Sequence, residues 1–257
     1  MRQPVVGLSL KNYINSIQQT IELFQELNRH TGEETIVEQI LFPSLGTIYP
    51  IAQMAQGTVF SIGAQNIGPY KEGPFTGEMS IISVMEMGGN YIEIGHAERK
   101  RIFHESQQMI NEKIKLTLEM GLSPLVCIGE EEIIRDNNEV TGILREQIKE
   151  YFEGARIDLL SQAIIAYEPI WAIGKPSAAE PRYVHGIHRI IRQIVAALYG
   201  KQIADHMRLI YGGSVSKHNT RQIVDNENVD GVFLGRFGHD PHNYKEIVGI
   251  VREVKGL

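Results

Sequence analysis

Glu168 is the acidic residue whose surroundings most suggest chemistry. It follows the apolar run 163–167 and precedes Pro169 and an apolar segment that contains Trp171. An apolar segment closing over a carboxylate excludes water and raises its basicity, as a proton-abstracting base requires. A surface acid beside a loop that packs its own tryptophan is the simpler interpretation of the same residues. Glu168 is therefore a candidate base, with both interpretations open.

His96 stands where another apolar run gives way to a charged segment. It follows Tyr91–Ile94 and precedes Glu98 and Arg99. Near a helix N-terminus an imidazole is favoured in its neutral form, which can donate a hydrogen bond to a polarised carbonyl oxygen. A structural histidine followed by ordinary first-turn charges is the alternative. His96 is a candidate hydrogen-bond donor to a substrate carbonyl on these grounds, with both interpretations open.

Two glycine-containing turns, 212–214 and 235–236, follow the last two apolar runs. Backbone N–H groups in such turns can converge on an anion without obstruction by side chains, and barrels commonly bind phosphate there. Lys11 follows the first apolar run and is placed to complete an anion site. Ordinary barrel turns and a solvated surface lysine are the simpler interpretations.

The elements that must position these residues are short apolar runs that alternate with longer amphipathic segments. The predicted strands are 5–10, 36–42, 60–65, 91–94, 125–128, 163–167, 208–211 and 231–234. The predicted helices include 15–28, 106–120, 140–153, 182–198, 219–225 and 243–254. Continuous apolar strands separated by helices indicate a parallel sheet buried on both faces. Eight such units without a linker predict an α/β fold, a single (β/α)8 TIM barrel spanning residues 1–257.

A barrel of this kind places its functional residues at the carboxyl ends of the strands. That rule gathers Lys11, His96, Glu168 and the glycine turns at one mouth, and it adds Asn66 and Glu130 as candidates. No Gly-x-Gly-x-x-Gly pattern follows the first strand, which argues against a dinucleotide-binding fold.

Composition narrows the class of protein. The net charge of −6 argues against a nucleic-acid partner, which needs a concentrated basic face. The single cysteine, Cys127, reads as a buried apolar residue and fits a reducing compartment. We expect a cytoplasmic protein without a membrane segment, because no apolar stretch approaches about 18 residues. The pairs His185/His188 and His239/His242 are expected at the surface, so the sequence predicts no metal site.

The motifs, taken in order, resemble the triosephosphate isomerase family over essentially the whole chain. The similar segments are Lys11, 64–66, 75–78, 95–99, 126–130, the Glu168 lid segment 166–174, 211–215 and 230–231, and the spacing from Glu168 to Pro181 suits a lid of normal length. The resemblance implies that the ligand is a small phosphorylated sugar, with no cofactor. It also implies a homodimer in which the loop holding Thr76 reaches the neighbour's active site.

The resemblance also assigns roles to particular residues of this chain. It implies that Glu168 is the catalytic base, that His96 is the electrophile and that Lys11 stabilises negative charge on substrate and enediolate. Glu98 is implied as a supporting residue of the active site. Backbone groups of three residues are expected to bind the phosphate: Gly174, Ser214 and Gly235.

Departures from the family pattern concern the predicted substrate. Ser9 stands where the family has asparagine, and Ala97 where it has serine. Both replacements shrink a side chain, which resembles the branch that isomerises L-erythrulose 1-phosphate to D-erythrulose 4-phosphate. Triosephosphate isomerisation is the alternative, and a non-catalytic barrel that binds a phosphorylated ligand is the second.

Two further departures lie in the expected phosphate-binding loops. Arg236 replaces a glycine, and residues 174–178 differ from the usual lid sequence. The Arg236 guanidinium can reach the phosphate or the extra hydroxyl, or it can turn outward toward Asp240. We expect the outward pose, because backbone donors already satisfy the phosphate and a buried guanidinium would need partners of its own.

Overall fold

A computed structural model of the chain describes residues 2–174 and 178–256. Its strands are β1 (Val5–Ser9), β2 (Glu38–Phe42), β3 (Phe60–Ala64), β4 (Tyr91–Ile94), β5 (Ser123–Ile128), β6 (Ile164–Tyr167), β7 (Arg208–Tyr211) and β8 (Gly231–Leu234). Each strand pairs in parallel with the next, and β8 pairs with β1, so that the sheet closes into a barrel. The predicted single (β/α)8 TIM barrel is confirmed.

Helices fill the connections between these strands in the described part of the chain. They are α1 (Ile17–Thr31), α2 (Ile48–Ala55), α3 (Ile81–Met87), α4 (Ala97–Phe103), α5 (Gln107–Glu119), α6 (Asn137–Tyr151), α7 (Pro181–Tyr199), α8 (Lys201–His206), α9 (Thr220–Val224) and α10 (Pro241–Lys255). Within residues 2–174 and 178–256, no helix has both the length and the apolarity that crossing a membrane requires.

The apolar runs form strands buried on both sides, because alternate side chains point into the barrel and toward the helices. On β1, Val5 packs inside the barrel, whereas Val6 and Leu8 pack beneath the helices. The interior closes on large side chains such as Phe42 and Phe233, whose rings meet edge to face at 5.6 Å. This packed interior forms a firm floor for the carboxyl mouth of the barrel.

Local capping fixes several helix starts that the sequence located only approximately. The side chain of Ser16 accepts a hydrogen bond from the backbone of Gln19, so α1 begins at Ile17. Helices α2, α3, α4 and α8 were not among the predicted helices. Each has six to eight residues, too few to give a clear apolar period.

The surface position expected for His188 is wrong. The side chain is fully buried between the rings of Tyr167 and Tyr211, and its Nδ1 lies 2.9 Å from the carbonyl oxygen of Val184. Burial lowers its pKa to about 4. His188 is therefore a neutral packing residue behind β6 and β7.

Candidate active site

A cavity of about 430 Å³ opens at the carboxyl mouth of the barrel. Its described lining residues are Ser9, Lys11, Tyr13, His96, Glu98, Glu168, Ile173, Gly174, Gly212, Ser214, Val215, Ser216, His218, Phe233, Leu234, Gly235, Arg236 and Phe237. The residues to which the resemblance assigns a catalytic or phosphate-binding role are all in this set, whereas the further candidates Asn66 and Glu130 are not. Ala97 is not among these described lining residues, so its small side chain does not enlarge the cavity directly.

Glu168 and His96 face each other in the cavity wall. Glu168 Oε2 lies 3.5 Å from His96 Nε2, and both side chains are about 95% buried. Among the described residues this oxygen has no hydrogen-bond partner. A buried carboxylate oxygen without a donor keeps its lone pairs available to accept a proton.

The tautomer of His96 follows from its position at the start of α4. His96 is the N-cap residue, and its Nδ1 accepts the backbone N–H of Glu98 at 3.1 Å. Because Nδ1 is an acceptor, the proton of the neutral ring lies on Nε2. That N–H points toward Glu168, where a substrate carbonyl between the two residues can receive it.

Two glycines leave room for Glu168. A Cβ at Gly212 would lie 2.6 Å from Glu168 Oε1, and one at Gly129 would lie 2.1 Å from the Glu168 carbonyl oxygen. Cys127 lies beneath the carboxylate, and burial raises the pKa of its thiol well above the ordinary value. The thiol therefore stays protonated, in agreement with the prediction that Cys127 is a buried apolar residue.

Lys11 is held by its backbone and by its side chain. Its φ of 48° lies in the left-handed region, and Gln65 Nε2 stabilises this turn by donating to the Lys11 carbonyl oxygen at 2.9 Å. Lys11 Nζ donates to Glu98 Oε1 at 2.7 Å. Burial alone would lower the pKa of Lys11. The hydrogen bond and the negative charge of Glu98, with the charges of Glu168 and Glu93, hold it above the ordinary value. Lys11 thus carries a positive charge into the cavity.

Glu93 is a site residue that the sequence reasoning missed. It lies on β4 with 4% exposure, and the Ser9 hydroxyl donates to its Oε2 at 3.0 Å. Burial raises the pKa of the Glu93 carboxyl to about 7, and the negative charge of Glu168 acts in the same direction. The available signal was a single acid within the apolar run Tyr91–Ile94.

The three residues expected to bind phosphate through their backbones surround one side of the cavity. Gly174 and Ser214 adopt positive φ angles of 68° and 42°, and Ser214 Oγ donates to the carbonyl oxygen of Ala172 at 2.8 Å. At Gly235 the space that a Cβ would occupy is open. Of the lid sequence that departs from the family pattern, residues 175–177 lie outside the described residues.

Arg236 does not adopt the predicted pairing with Asp240 in the described structure. Its guanidinium carbon lies 5.3 Å from the centre of the Tyr13 ring, at the rim of the cavity. The Asp240 carboxylate instead caps α10 by accepting the backbone N–H groups of His242 and Asn243. Arg236 is exposed, and this cation–π contact with Tyr13 is made at the surface.

Glu130 anchors the segment that follows Glu168 and does not line the cavity. Its Oε1 accepts hydrogen bonds from the Tyr167 hydroxyl at 2.8 Å, from Trp171 Nε1 at 2.9 Å and from the Tyr183 hydroxyl at 2.9 Å. A single buried carboxylate oxygen thus ties β6, the start of the lid and helix α7 together.

Asn66 supports the barrel away from the described cavity wall. Its Oδ1 accepts a hydrogen bond from Lys113 Nζ at 2.8 Å, and Lys113, fully buried, pairs with Glu105 at 3.0 Å. Arg99 completes this network through its Nε, 2.5 Å from Glu105 Oε2. The network fixes α4 to α5 and thereby supports the helix that His96 caps.

Thr76 is exposed on the loop between β3 and α3, apart from the described cavity lining. The loop is closed by a hydrogen bond from the Gly68 N–H to the Met79 carbonyl oxygen at 2.9 Å. The rings of Tyr70 and Phe75 stack within it at 4.5 Å. The structure thus presents a compact, outward-facing loop.

The site combines a free buried carboxylate oxygen, a neutral imidazole donor, a cationic lysine and loops lined by backbone. At the mouth of a (β/α)8 barrel, this set is suited to moving a proton between neighbouring carbons of a small anionic substrate. It defines the chain as an acid–base isomerase of the barrel class.

Comparisons with known proteins identify the family. The family model described as triosephosphate isomerase matches residues 4–251. "Probable triosephosphate isomerase 2" of Listeria monocytogenes serotype 4b (strain F2365) is 45% identical over 256 residues, with full coverage of both chains. "Triosephosphate isomerase" of Solibacter usitatus (strain Ellin6076) is 34% identical over 248 residues, covering 96% of this chain and 99% of that protein. The chain belongs to the triosephosphate isomerase family.

Membership of this family establishes the general class of reaction. The family consists of cofactor-independent sugar-phosphate isomerases, so the chain is an enzyme that acts on a small phosphorylated sugar. The second alternative drawn from the sequence, a non-catalytic barrel, is therefore set aside.

Proposed function

We propose that the enzyme interconverts L-erythrulose 1-phosphate and D-erythrulose 4-phosphate. The observation that carries this proposal is the polar floor of the cavity. Ser9 contributes to this floor, and its hydroxyl donates a hydrogen bond to Glu93. A short side chain leaves space beside the reacting carbons, and the hydroxyl supplies a polar contact for a substrate longer than a triose. The four-carbon substrate needs both.

In the proposed reaction Glu168 removes the proton from C3 of L-erythrulose 1-phosphate and returns it to C2. The unpartnered Oε2 supports this role. His96 Nε2–H donates to the carbonyl oxygen as negative charge develops there, and the ring then relays the hydroxyl proton between the oxygens of C2 and C3. Lys11 stabilises the enediolate by its charge, and Glu98 holds the lysine in place at 2.7 Å.

The phosphate end is assigned to the loops after β6, β7 and β8. Backbone N–H groups at Gly174, Ser214 and Gly235 are proposed as its donors, which is supported by the open space at Gly235. Arg236 at the rim adds positive charge near this end without a direct role in proton transfer.

Triosephosphate isomerisation, dihydroxyacetone phosphate to glyceraldehyde 3-phosphate, is the second candidate. It is favoured by the names of the Listeria monocytogenes and Solibacter usitatus relatives. The base, the imidazole and the lysine serve both reactions equally, so the two candidates differ only in what the cavity floor accepts.

Parallel assays with the two ketose phosphates test the proposal. We expect kcat/KM for L-erythrulose 1-phosphate to exceed that for dihydroxyacetone phosphate by about tenfold or more, since a well-placed polar contact contributes roughly this discrimination. A preference for dihydroxyacetone phosphate would establish the second candidate instead. Absence of turnover with both would reject each of them.

We also propose that the enzyme is a homodimer in which the Thr76 loop reaches the neighbouring subunit. Large apolar side chains are exposed on the first four β–α units, and exposed apolar surface of this kind marks protein interfaces. They include Tyr13, Ile17, Leu45, Tyr49, Tyr70, Phe75, Met85, Ile102 and Phe103.

Shortening residues 73–78 is expected to give a monomer with little activity, because the loop is proposed to complete the neighbour's site. Sedimentation and turnover would be measured together on the parent and on the shortened protein. A matched shortening of the exposed segment 131–135, which lies before α6, serves as the control. A shortened 73–78 protein that sediments as a fully active dimer would contradict the proposal.

A further inference from the structure

Glu93 is a buried ionisable group that the proton-transfer chemistry does not use. It lies on β4 two residues after Tyr91, which belongs to the apolar cluster inside the barrel, so its side chain also points inward. A carboxyl there costs stability unless it is well partnered. Ionisable groups kept at such a cost concentrate at functional sites. Its position beside His96 and Glu168 therefore calls for a function.

Ser9 connects Glu93 with the cavity. It is the last residue of β1, is 2% exposed and contributes to the cavity lining. A serine hydroxyl has a single proton, and here that proton is donated to Glu93 Oε2 at 3.0 Å. The oxygen of Ser9 therefore offers only lone pairs to a ligand. The group that fits it is a hydrogen-bond donor, such as a hydroxyl.

Ser9 is assigned to the end of the substrate that does not carry the phosphate. The proposed phosphate loops follow β6, β7 and β8, and the reacting carbons must lie between Glu168 and His96. We place the end of a longer carbon chain at Ser9, because the hydrogen bond from Ser9 to Glu93 joins the end of β1 to β4, the strand that precedes His96. A tetrulose phosphate carries a terminal hydroxymethyl group there, whereas a triose phosphate ends at its reacting carbon.

We propose that Ser9 and Glu93 form a subsite for the terminal hydroxymethyl group of a four-carbon sugar phosphate. Ser9 accepts the hydrogen bond of the terminal hydroxyl, and Glu93 is a positioning residue that fixes the direction of the Ser9 O–H. The inference rests on the proposed function and deepens it, because it names the contact that separates a tetrulose from a triose.

Calorimetric titration with two unreactive probes tests the subsite. Glycerol 3-phosphate ends where a triose ends, and erythritol 4-phosphate carries one further hydroxyl-bearing carbon. We expect the parent to bind erythritol 4-phosphate about tenfold more tightly, as one added hydrogen bond allows. Ser9→Ala should lose most of this ratio. Ser123→Ala, at the amino end of β5, is the matched control and should keep it.

Two variants of Glu93 test whether its carboxylate orients the Ser9 hydroxyl or only fills space. Glu93→Gln retains an acceptor for the Ser9 hydroxyl and should keep most of the ratio, whereas Glu93→Leu fills similar space without an acceptor and should lose it. If Glu93 only filled space, Glu93→Leu would keep the binding ratio at least as well as Glu93→Gln. If a Glu93 variant does not fold, the Ser9→Ala titration decides alone.

The titrations also separate this inference from the proposed function. Equal binding of the two probes by the parent, or an unchanged ratio in Ser9→Ala, would overturn the subsite whichever ketose phosphate is turned over. Failure to turn over L-erythrulose 1-phosphate would reject the proposed function. It would leave the binding ratio of the two probes unaffected, because that ratio is measured with compounds that do not react.

Discussion

Glu168→Gln is expected to fold as the parent does and to lose about 10²–10⁴-fold in turnover, the usual contribution of a positioned proton acceptor. The amide preserves the shape of a side chain that is almost wholly buried against Gly212, so the loss reports on chemistry rather than on packing. It replaces a carboxylate whose Oε2 has no hydrogen-bond partner in the described structure by an amide, which is far too weak a base to take the proton. The measurement is kcat on the better ketose phosphate.

Glu150→Gln, an exposed change on α6, is the matched control for that experiment and should retain parental kcat. Circular dichroism of both variants would verify the fold. Turnover of Glu168→Gln within a few-fold of the parent would remove Glu168 from its proposed role and leave His96 without an opposing base.

The second large effect concerns stability and pH. Burial raises the pKa of the Glu93 carboxyl from an ordinary 4.5 to about 7. Between these values the folded protein holds a proton that the unfolded chain has released, so the stability of the parent falls as the pH rises through this window. Glutamine does not titrate. At about 1.4 kcal/mol per pKa unit, the advantage of Glu93→Gln over the parent should grow by about 2–3 kcal/mol between pH 5 and pH 8.

Denaturant unfolding at the two pH values measures this difference directly. Glu86→Gln, an exposed substitution on α3, provides the comparison and should follow the parent at both pH values. If the difference between Glu93→Gln and the parent were the same at pH 5 and pH 8, Glu93 would not be the carboxyl with the raised pKa.

The sequence alone predicts the barrel because each strand is an apolar run between helical segments, a local pattern that needs no knowledge of contacts. It also predicts the mouth of the barrel, since residues that follow parallel strands must meet at one end. The gathering of Lys11, His96, Glu168, Ser214 and Gly235 around one cavity agrees with that rule.

The features that the sequence could not predict are contacts between residues that lie on different elements, far apart in the chain. Ser9 and Glu93 lie 84 positions apart, and each alone reads as a small residue or as an odd acid in a strand. The burial of His188 depends in the same way on Tyr167 and Tyr211 from two other elements, which the sequence pattern around His188 does not show. The pose of Arg236 likewise depends on Tyr13, which lies at the opposite end of the chain.

Because His96 caps α4, a proton on its Nδ1 would affect both the helix and the hydrogen-bond donor of the active site. Its Nδ1 must remain bare to receive the Glu98 N–H. A second proton on the ring would therefore remove the cap and place a like charge against a helix N-terminus, each opposed by about 1 kcal/mol. Fraying of the first turn of α4 and loss of the neutral donor would then occur together. The cap of α4 and the donor role of the His96 ring thus depend on the same unprotonated Nδ1.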